Sequence, residues 1–371
     1  MFFLNGAHKS FLTELFKQES ITKVFIVRGG NSYILSGAKD DLETILNSLK
    51  IEFTYFQEFD VNPKINDLEK GLKRFEQYAP NCIIGIGGGS VLDMAKLIRF
   101  FSIYKGDFKT NIFERKNLSK TQLICMPTTS GTGAEMTHFS VLYENEMKYS
   151  VEHRDMKPDL GIIIPQFTYN NNAYLTACTG FDALAQAIEA YWNINSTTES
   201  DQFAFEAIKL LYTNLPLAVN CPTSDIRNQM AKGAHLAGKA IDITKTTAPH
   251  AYSYYFTSKH RIPHGHAVAI TFPYFAALNM EHFELFKNQT KLRDYQNKIE
   301  KLCLFLNISS IDKKSFFSRY ISSIGLQPIF SKEIDVFEAL CAVNKERLGN
   351  NPMFIHERSL KSYIEGLNHL Q

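Results

Sequence analysis

Residues 82–96 read CIIGIGGGSVLDMAK, and this stretch decides the fold class. A short apolar run rich in isoleucine passes directly into Gly87-Gly88-Gly89-Ser90 and then into a helical pattern over residues 91–101. A buried strand turning sharply into a helix is the repeating unit of a parallel sheet covered on both faces. The unit recurs outward in both directions. Residues 23–27 (KVFIV) end at the turn Arg28-Gly29-Gly30-Asn31, and residues 40–50 place Leu42, Ile45, Leu46 and Leu49 at helical spacing. Residues 51–56 (IEFTYF) alternate as a strand, and Asn66 is placed to cap a helix carrying Leu68, Leu72 and Phe75. Beyond the opening stretch, residues 122–126 (QLICM) run into Pro127-Thr128-Thr129-Ser130-Gly131.

From about Cys178 strand signals become rare and long helical patterns take over, at residues 182–193, 200–215 and 226–239. The expectation is an α/β domain over residues 1–178 and an all-α domain over residues 179–371, divided close to the polar cluster Asn170-Asn171-Asn172. A length of 371 residues accommodates two domains. Forty basic against 38 acidic residues leave a formal charge of +2, which gives no electrostatic reason to expect nucleic acid or an anionic membrane surface. The six cysteines contain no C-x-x-C pair, and no stretch approaches the ~20 apolar residues of a membrane span. The start has no basic region followed by a long apolar run. These features predict a soluble cytoplasmic protein with reduced thiols.

The glycine run lets a backbone approach a pyrophosphate, with the free N–H groups of a helix N-terminus behind it. It is not the G-x-G-x-x-G fingerprint, because Ser90 stands at the last glycine position, and by itself it also suits a tight turn without ligand. Asp93 and Lys96 lie one turn into the helix, where a lysine can reach a ribose or phosphate. The second turn, Thr128-Thr129-Ser130-Gly131-Thr132-Gly133, also follows a strand, so both belong at the C-terminal edge of an open sheet, where nucleotides bind.

Together these two turns resemble the nucleotide motifs of the iron-containing (group III) alcohol dehydrogenases. Thr179-Gly180-Phe181-Asp182-Ala183-Leu184 and Pro263-His264-Gly265 are similar to that family's metal-domain motifs in order and spacing, as is Asn350-Asn351-Pro352 near the end. The resemblance implies a Rossmann-like first domain, a helical second domain, and a metal in a cleft between them, in a chain that commonly forms homodimers. It places the cofactor on Asn62, Gly87, Gly88, Gly89, Ser90, Asp93, Lys96, Thr128, Thr129, Ser130, Thr132 and Lys148. Many NAD-preferring members carry an aspartate after the first strand; here Gly29 follows Arg28, which leaves NADPH acceptable alongside NADH.

The resemblance maps the ligands of one divalent metal, Fe2+ or Zn2+, onto Asp182, His250 and His264, with Gln186 where the family has a histidine. A carboxylate and two imidazoles suit either ion. Spacing i, i+4 puts Gln186 on the face of Asp182. Tyr254 follows His250 by one turn, at a position where the family often has a histidine, and is the candidate proton donor. His235, Lys239, Lys245, Thr246 and Thr247 precede His250, and ammonium and hydroxyl groups are partners for an anionic group. This segment resembles the phosphonoacetaldehyde reductase branch. The expected reaction is therefore NAD(P)H-linked reduction of a small anionic aldehyde, phosphonoacetaldehyde, to its alcohol in phosphonate metabolism. The alternatives are a general short-chain alcohol dehydrogenase, a maleylacetate reductase-like enzyme, and a nucleotide-binding sensor without chemistry.

Overall fold

The computed structural model describes residues 1–116, 121–145, 147–308, 312–328, 330 and 332–370. The chain divides into two compact units, one of Met1–Asn171 with Thr223–Gly238, the other of Asn172–Pro222 with Lys239–Gln371.

The first unit is built on β1 (Lys23–Arg28), β2 (Glu52–Phe56), β3 (Cys82–Gly87), the hairpin β4 (Tyr104–Asp107) and β5 (Ile112–Arg115), β6 (Gln122–Pro127), the hairpin β7 (Phe139–Glu144) and β8 (Met147–Glu152), and β9 (Leu160–Gly161). Five of these make one sheet in the order β2-β1-β3-β6-β9, with every pair parallel. Alternate residues of β1 feed opposite cores. Phe25 and Val27 pack with Phe75, Leu92 and Ile98 on one face, while Val24 and Ile26 pack with Leu12, Phe16 and Leu42 on the other. The sheet doubly covered by helices is thus the one expected. Strand order reverses at β1, so β1 and β3 flank the switch point where open α/β sheets bind ligands.

The second unit is helical. His264–Glu281 packs against both Ala173–Trp192 and Ala248–Lys259, and Thr198–Asn220 packs along Ala173–Trp192. Among the described residues no helix is long and apolar enough to cross a membrane.

The division differs from the expected one at residue 178 in two ways. Asn172 caps the helix Ala173–Trp192 by accepting the Leu175 N–H at 2.8 Å, so the helix carrying Asp182 starts earlier than its apolar pattern suggests. The run Thr223–Gly238 also belongs with the sheet. Gly133, at φ 60°, and Gly238 approach so closely that a Cβ on Gly133 would stand 2.4 Å from the Gly238 Cα. Two glycines 105 residues apart make that contact, and no local pattern announces it.

Candidate functional site

In the first unit the turns after β3 and β6 are neighbours. Gly87 pairs with Pro127 in register, and the Thr128 N–H donates to the Gly87 carbonyl at 2.9 Å. Gly88 is the N-cap of the helix Gly89–Ile103. A Cβ on Gly85 would meet Ala95 Cβ at 2.8 Å and one on Gly89 would meet Thr132 Cγ2 at 2.7 Å, so these glycines let the helix and the second turn close on the strand. Ser90 Oγ accepts the N–H of Asn62 at 3.0 Å, and Asn62 adopts φ 65°, a left-handed conformation that asparagine tolerates. Among the described residues, the buried hydroxyls of Thr128 and Ser130 have no hydrogen-bond partners. Buried hydroxyls demand partners, and two of them beside a helix N-terminus fit a polar, phosphate-bearing ligand.

Asp93 and Lys96 have another role than the one expected. The Lys96 side chain is fully buried, and its ammonium donates to Ala134 O at 3.1 Å, Thr137 Oγ1 at 2.9 Å and Phe139 O, with Asp93 Oδ1 at 3.5 Å. An ammonium has three protons, and all three are engaged here, so Lys96 does not reach a cofactor. Asp93 Oδ2 accepts the Val141 N–H at 3.0 Å. Burial holds its carboxyl above the usual range, against the pull of Lys96, the Val141 amide and Lys148. Lys148 therefore lies near this pair, on β8.

Arg28 ends β1. Its guanidinium lies over the rings of Tyr33 (5.2 Å) and Tyr55 (5.0 Å), and Nη1 donates to Gly29 O and Gly30 O at 3.2 and 3.3 Å. Both tyrosine hydroxyls donate to Glu43 Oε1. The cation is held in place at the edge of the sheet, beside the switch point.

In the second unit three helices bring one carboxylate and two imidazoles together. Ligand atoms of Asp182, His250 and His264 all lie within 4.8 Å of one another. His250 Nε2 is 3.2 Å and His264 Nε2 3.9 Å from Asp182 Oδ1. Gly265 makes this possible, because a Cβ there would fall 1.9 Å from the Cys178 carbonyl oxygen. Gln186 Nε2 donates to Asp182 Oδ2 at 3.1 Å, while the buried Gln186 Oε1 has no partner among the described residues. An oxygen, nitrogen and carboxylate set around a buried orphan acceptor fits a divalent cation. Tyr254 stands beside this group, its ring centre 6.1 Å from that of His264.

Glu189 completes the site and was absent from the expected residues. It is fully buried, its Oε1 accepts from His250 Nδ1, and its Oε2 accepts from Thr247 N (2.6 Å) and Thr247 Oγ1 (2.8 Å). A carboxylate can only accept, so Nδ1 donates to Glu189 and, with no cation in place, Nε2 donates to Asp182. Burial pushes the His250 imidazole down, but the Glu189 and Asp182 carboxylates outweigh it and hold it up at about 10. A cation at this point displaces the Nε2 proton and leaves the Nδ1 proton donated to Glu189. The signal was present in the sequence: Asp182, Gln186 and Glu189 stand at i, i+4 and i+7 of a helix otherwise rich in alanine. Glu189→Gln is expected to weaken metal binding about 10- to 100-fold, measured by chelator competition with the circular dichroism spectrum as the folding control.

The residues expected to hold an anionic substrate each make contacts within their own unit. Thr247 is fully buried, and its hydroxyl accepts from Trp192 Nε1 at 3.0 Å while donating to Glu189. Lys245, at φ 62°, turns away into an ion pair with Glu346. The Thr246 carbonyl accepts from Asn350 at 3.0 Å. Lys239 lies over the Phe203 ring at 5.3 Å. His235 belongs to the first unit, where Nδ1 pairs with the buried Glu135 at 3.2 Å behind the second turn.

Two family models match the chain in tandem: one described as iron-containing alcohol dehydrogenase over residues 1–165, and the C-terminal model of the same family over residues 176–327. The NADPH-dependent butanol dehydrogenase of Clostridium saccharobutylicum is 27% identical over 92% of this chain and 91% of its own length. The aldehyde-alcohol dehydrogenase 2 of Entamoeba histolytica is 32% identical over 72% of this chain, which spans only 32% of that protein. The long-chain-alcohol dehydrogenase 1 of Geobacillus thermodenitrificans is 38% identical over 52% of this chain and 50% of its own. A crystal structure of 1,3-propanediol oxidoreductase superposes with a TM-score of 0.83, at 24% identity, over 99% of this chain and 97% of that one.

Proposed function

This chain belongs to the iron-containing alcohol dehydrogenase family, and we propose on that premise that it interconverts a small aldehyde and its primary alcohol with NAD(P)H and a divalent metal. The observation that carries the reading is the convergence of Asp182, His250 and His264 within 4.8 Å. When bound, a metal supplies Lewis-acid polarisation of a carbonyl and a reduced dinucleotide supplies hydride. The residues of the chain do the rest. Asp182, His250 and His264 hold the cation, and Glu189 orients His250. Thr128, Ser130 and the amides after Gly88 bind the dinucleotide. Tyr254, beside His264, holds the proton that the product alcohol takes up. The protein reconstituted with Fe2+ should oxidise NADH or NADPH with propanal or butanal, and chelation should abolish the rate. An absence of turnover with every short aldehyde, metal loaded, would overturn the reading and favour a nucleotide-binding sensor.

For the cofactor, the immobilised Arg28 supports acceptance of NADPH. Arg28→Ala is expected to raise KM for NADPH about tenfold, the worth of one charge-assisted hydrogen bond, and to leave KM for NADH unchanged. For the substrate, an uncharged short aldehyde is favoured over phosphonoacetaldehyde, because Lys239 and Lys245 are engaged by Phe203 and Glu346. Lys239→Ala should therefore leave the ratio of KM for phosphonoacetaldehyde and propanal unchanged; a rise confined to the phosphonate would restore the anionic reading.

A further inference from the structure

Resting on the dinucleotide reading above, we propose that His235 is a positioning residue for the cofactor, holding the turn of residues 128–133 in its binding shape through Glu135. Glu135 stands just beyond that turn and is 4% exposed, and its Oε1 lies 3.2 Å from His235 Nδ1. Because an ionised carboxylate has no proton to give, the ring donates from Nδ1. The stem of Glu135 is seated on β9, where a Cβ on Gly161 would stand 3.1 Å from Glu135 Cγ. The side chain is thus fixed along its length, by the strand behind its stem and by the imidazole at its tip. Both residues belong to the first unit, His235 through the run Thr223–Gly238.

The effect on the turn follows from what pins its two ends. At its start the Thr128 N–H donates to the Gly87 carbonyl at 2.9 Å. Past its end Lys96 takes the Ala134 carbonyl at 3.1 Å and Thr137 Oγ1 at 2.9 Å. Neither anchor touches residues 129–133. These face the His235 side instead: Thr129, Gly131 and Gly133 line one small cavity together with Glu135 and His235, and Gly133 lies against Gly238. Without the imidazole, Glu135 is a buried carboxylate that has lost its N–H, and such a group moves toward water. Residues 128, 134 and 137 are held from the other side, so the segment between them takes up the movement. Ser130 lies in that segment, and its buried hydroxyl has no partner among the described residues.

The test is equilibrium titration of the full chain with NADH and NADPH, followed by nicotinamide fluorescence, for the unaltered protein, His235→Leu and His235→Asn, with melting curves alongside. Leucine fills the space and offers no donor. Asparagine carries its amide nitrogen the same number of bonds from Cβ as imidazole Nδ1, so it restores the donor without the ring. His235→Leu should raise Kd for the dinucleotide about tenfold, within the range of one hydrogen bond to a charged group, and His235→Asn should bring it back to within about twofold. A leucine variant that melts earlier yet binds as tightly as the unaltered chain makes the pair purely structural and overturns the proposal. An asparagine variant as weak as the leucine one overturns it too. If the leucine variant does not fold, His235→Gln, whose donor lies one bond further out, takes its place, and unaltered affinity there counts equally against the proposal. If the unaltered chain binds neither NADH nor NADPH, the dinucleotide reading itself falls, and this proposal with it.

Discussion

Gly265→Ala is expected to scatter the metal ligands and lower kcat/KM by about 100-fold or more, the usual consequence of a shift of about 1 Å in a catalytic group. The cause is backbone, not side chain. A Cβ at this position would stand 1.9 Å from the Cys178 carbonyl oxygen, 2.8 Å from its carbon and 3.0 Å from Asp182 Cβ. Cys178 lies inside the helix Ala173–Trp192, where the main chain has no soft torsion to absorb the clash. The start of His264–Glu281 must therefore retreat, and His264, the residue immediately before, retreats with it. Asp182 and His264 already stand at the far end of the ligand set, 3.9 Å apart. Overpacking of this kind costs about 1–3 kcal/mol in stability, so the variant should fold, melt earlier and bind metal poorly. Elemental analysis after reconstitution, together with a melting curve, checks both halves. Gly349→Ala is the control, since a Cβ there meets nothing within 4 Å. Full metal occupancy in Gly265→Ala would show that the approach of the two helices is not what assembles the site.

How far the sequence could be read depends on whether each feature is local. The strand and glycine turn of residues 82–90 were legible because an isoleucine-rich run and a helix start are both short-range signals. Asp182, His250 and His264 were read as parts of motifs, and their ligand atoms lie within 4.8 Å of one another. Lys96 was misread because a lysine one turn into a helix points to a phosphate only if nothing else surrounds it. Here the segment after the second turn folds over it. Thr247 and Lys245 were misread for the same reason: the Thr247 hydroxyl is taken up by Trp192 and Glu189, and the Lys245 ammonium by Glu346. Glu189 is a different case, since its periodicity with Asp182 was visible and only its partner, His250, lay out of sight in sequence.

Lys96→Met is expected to cost about 3–5 kcal/mol, the range for removing one partner from a buried ionic cluster, and to lower the melting temperature by roughly 10 °C. Methionine fills most of the volume of the lysine stem but offers no donor. Ala134 O, Thr137 Oγ1 and Phe139 O then lose the ammonium, and the Asp93 carboxyl, already held up by burial, loses the strongest pull against it, with the Val141 amide and Lys148 left to oppose burial. These acceptors follow directly on the turn of residues 128–133, so the lysine ties that turn to the helix that begins at the glycine run. Two accounts of Lys96 therefore separate in a single variant. A lysine touching a phosphate would leave the melting temperature in place and weaken cofactor binding in a salt-dependent way. A buried clamp between the two turns lowers the melting temperature first, and weakens the cofactor through a loosened second turn with little salt dependence. Melting curves and cofactor KM at two ionic strengths distinguish them, and the geometry predicts the second pattern.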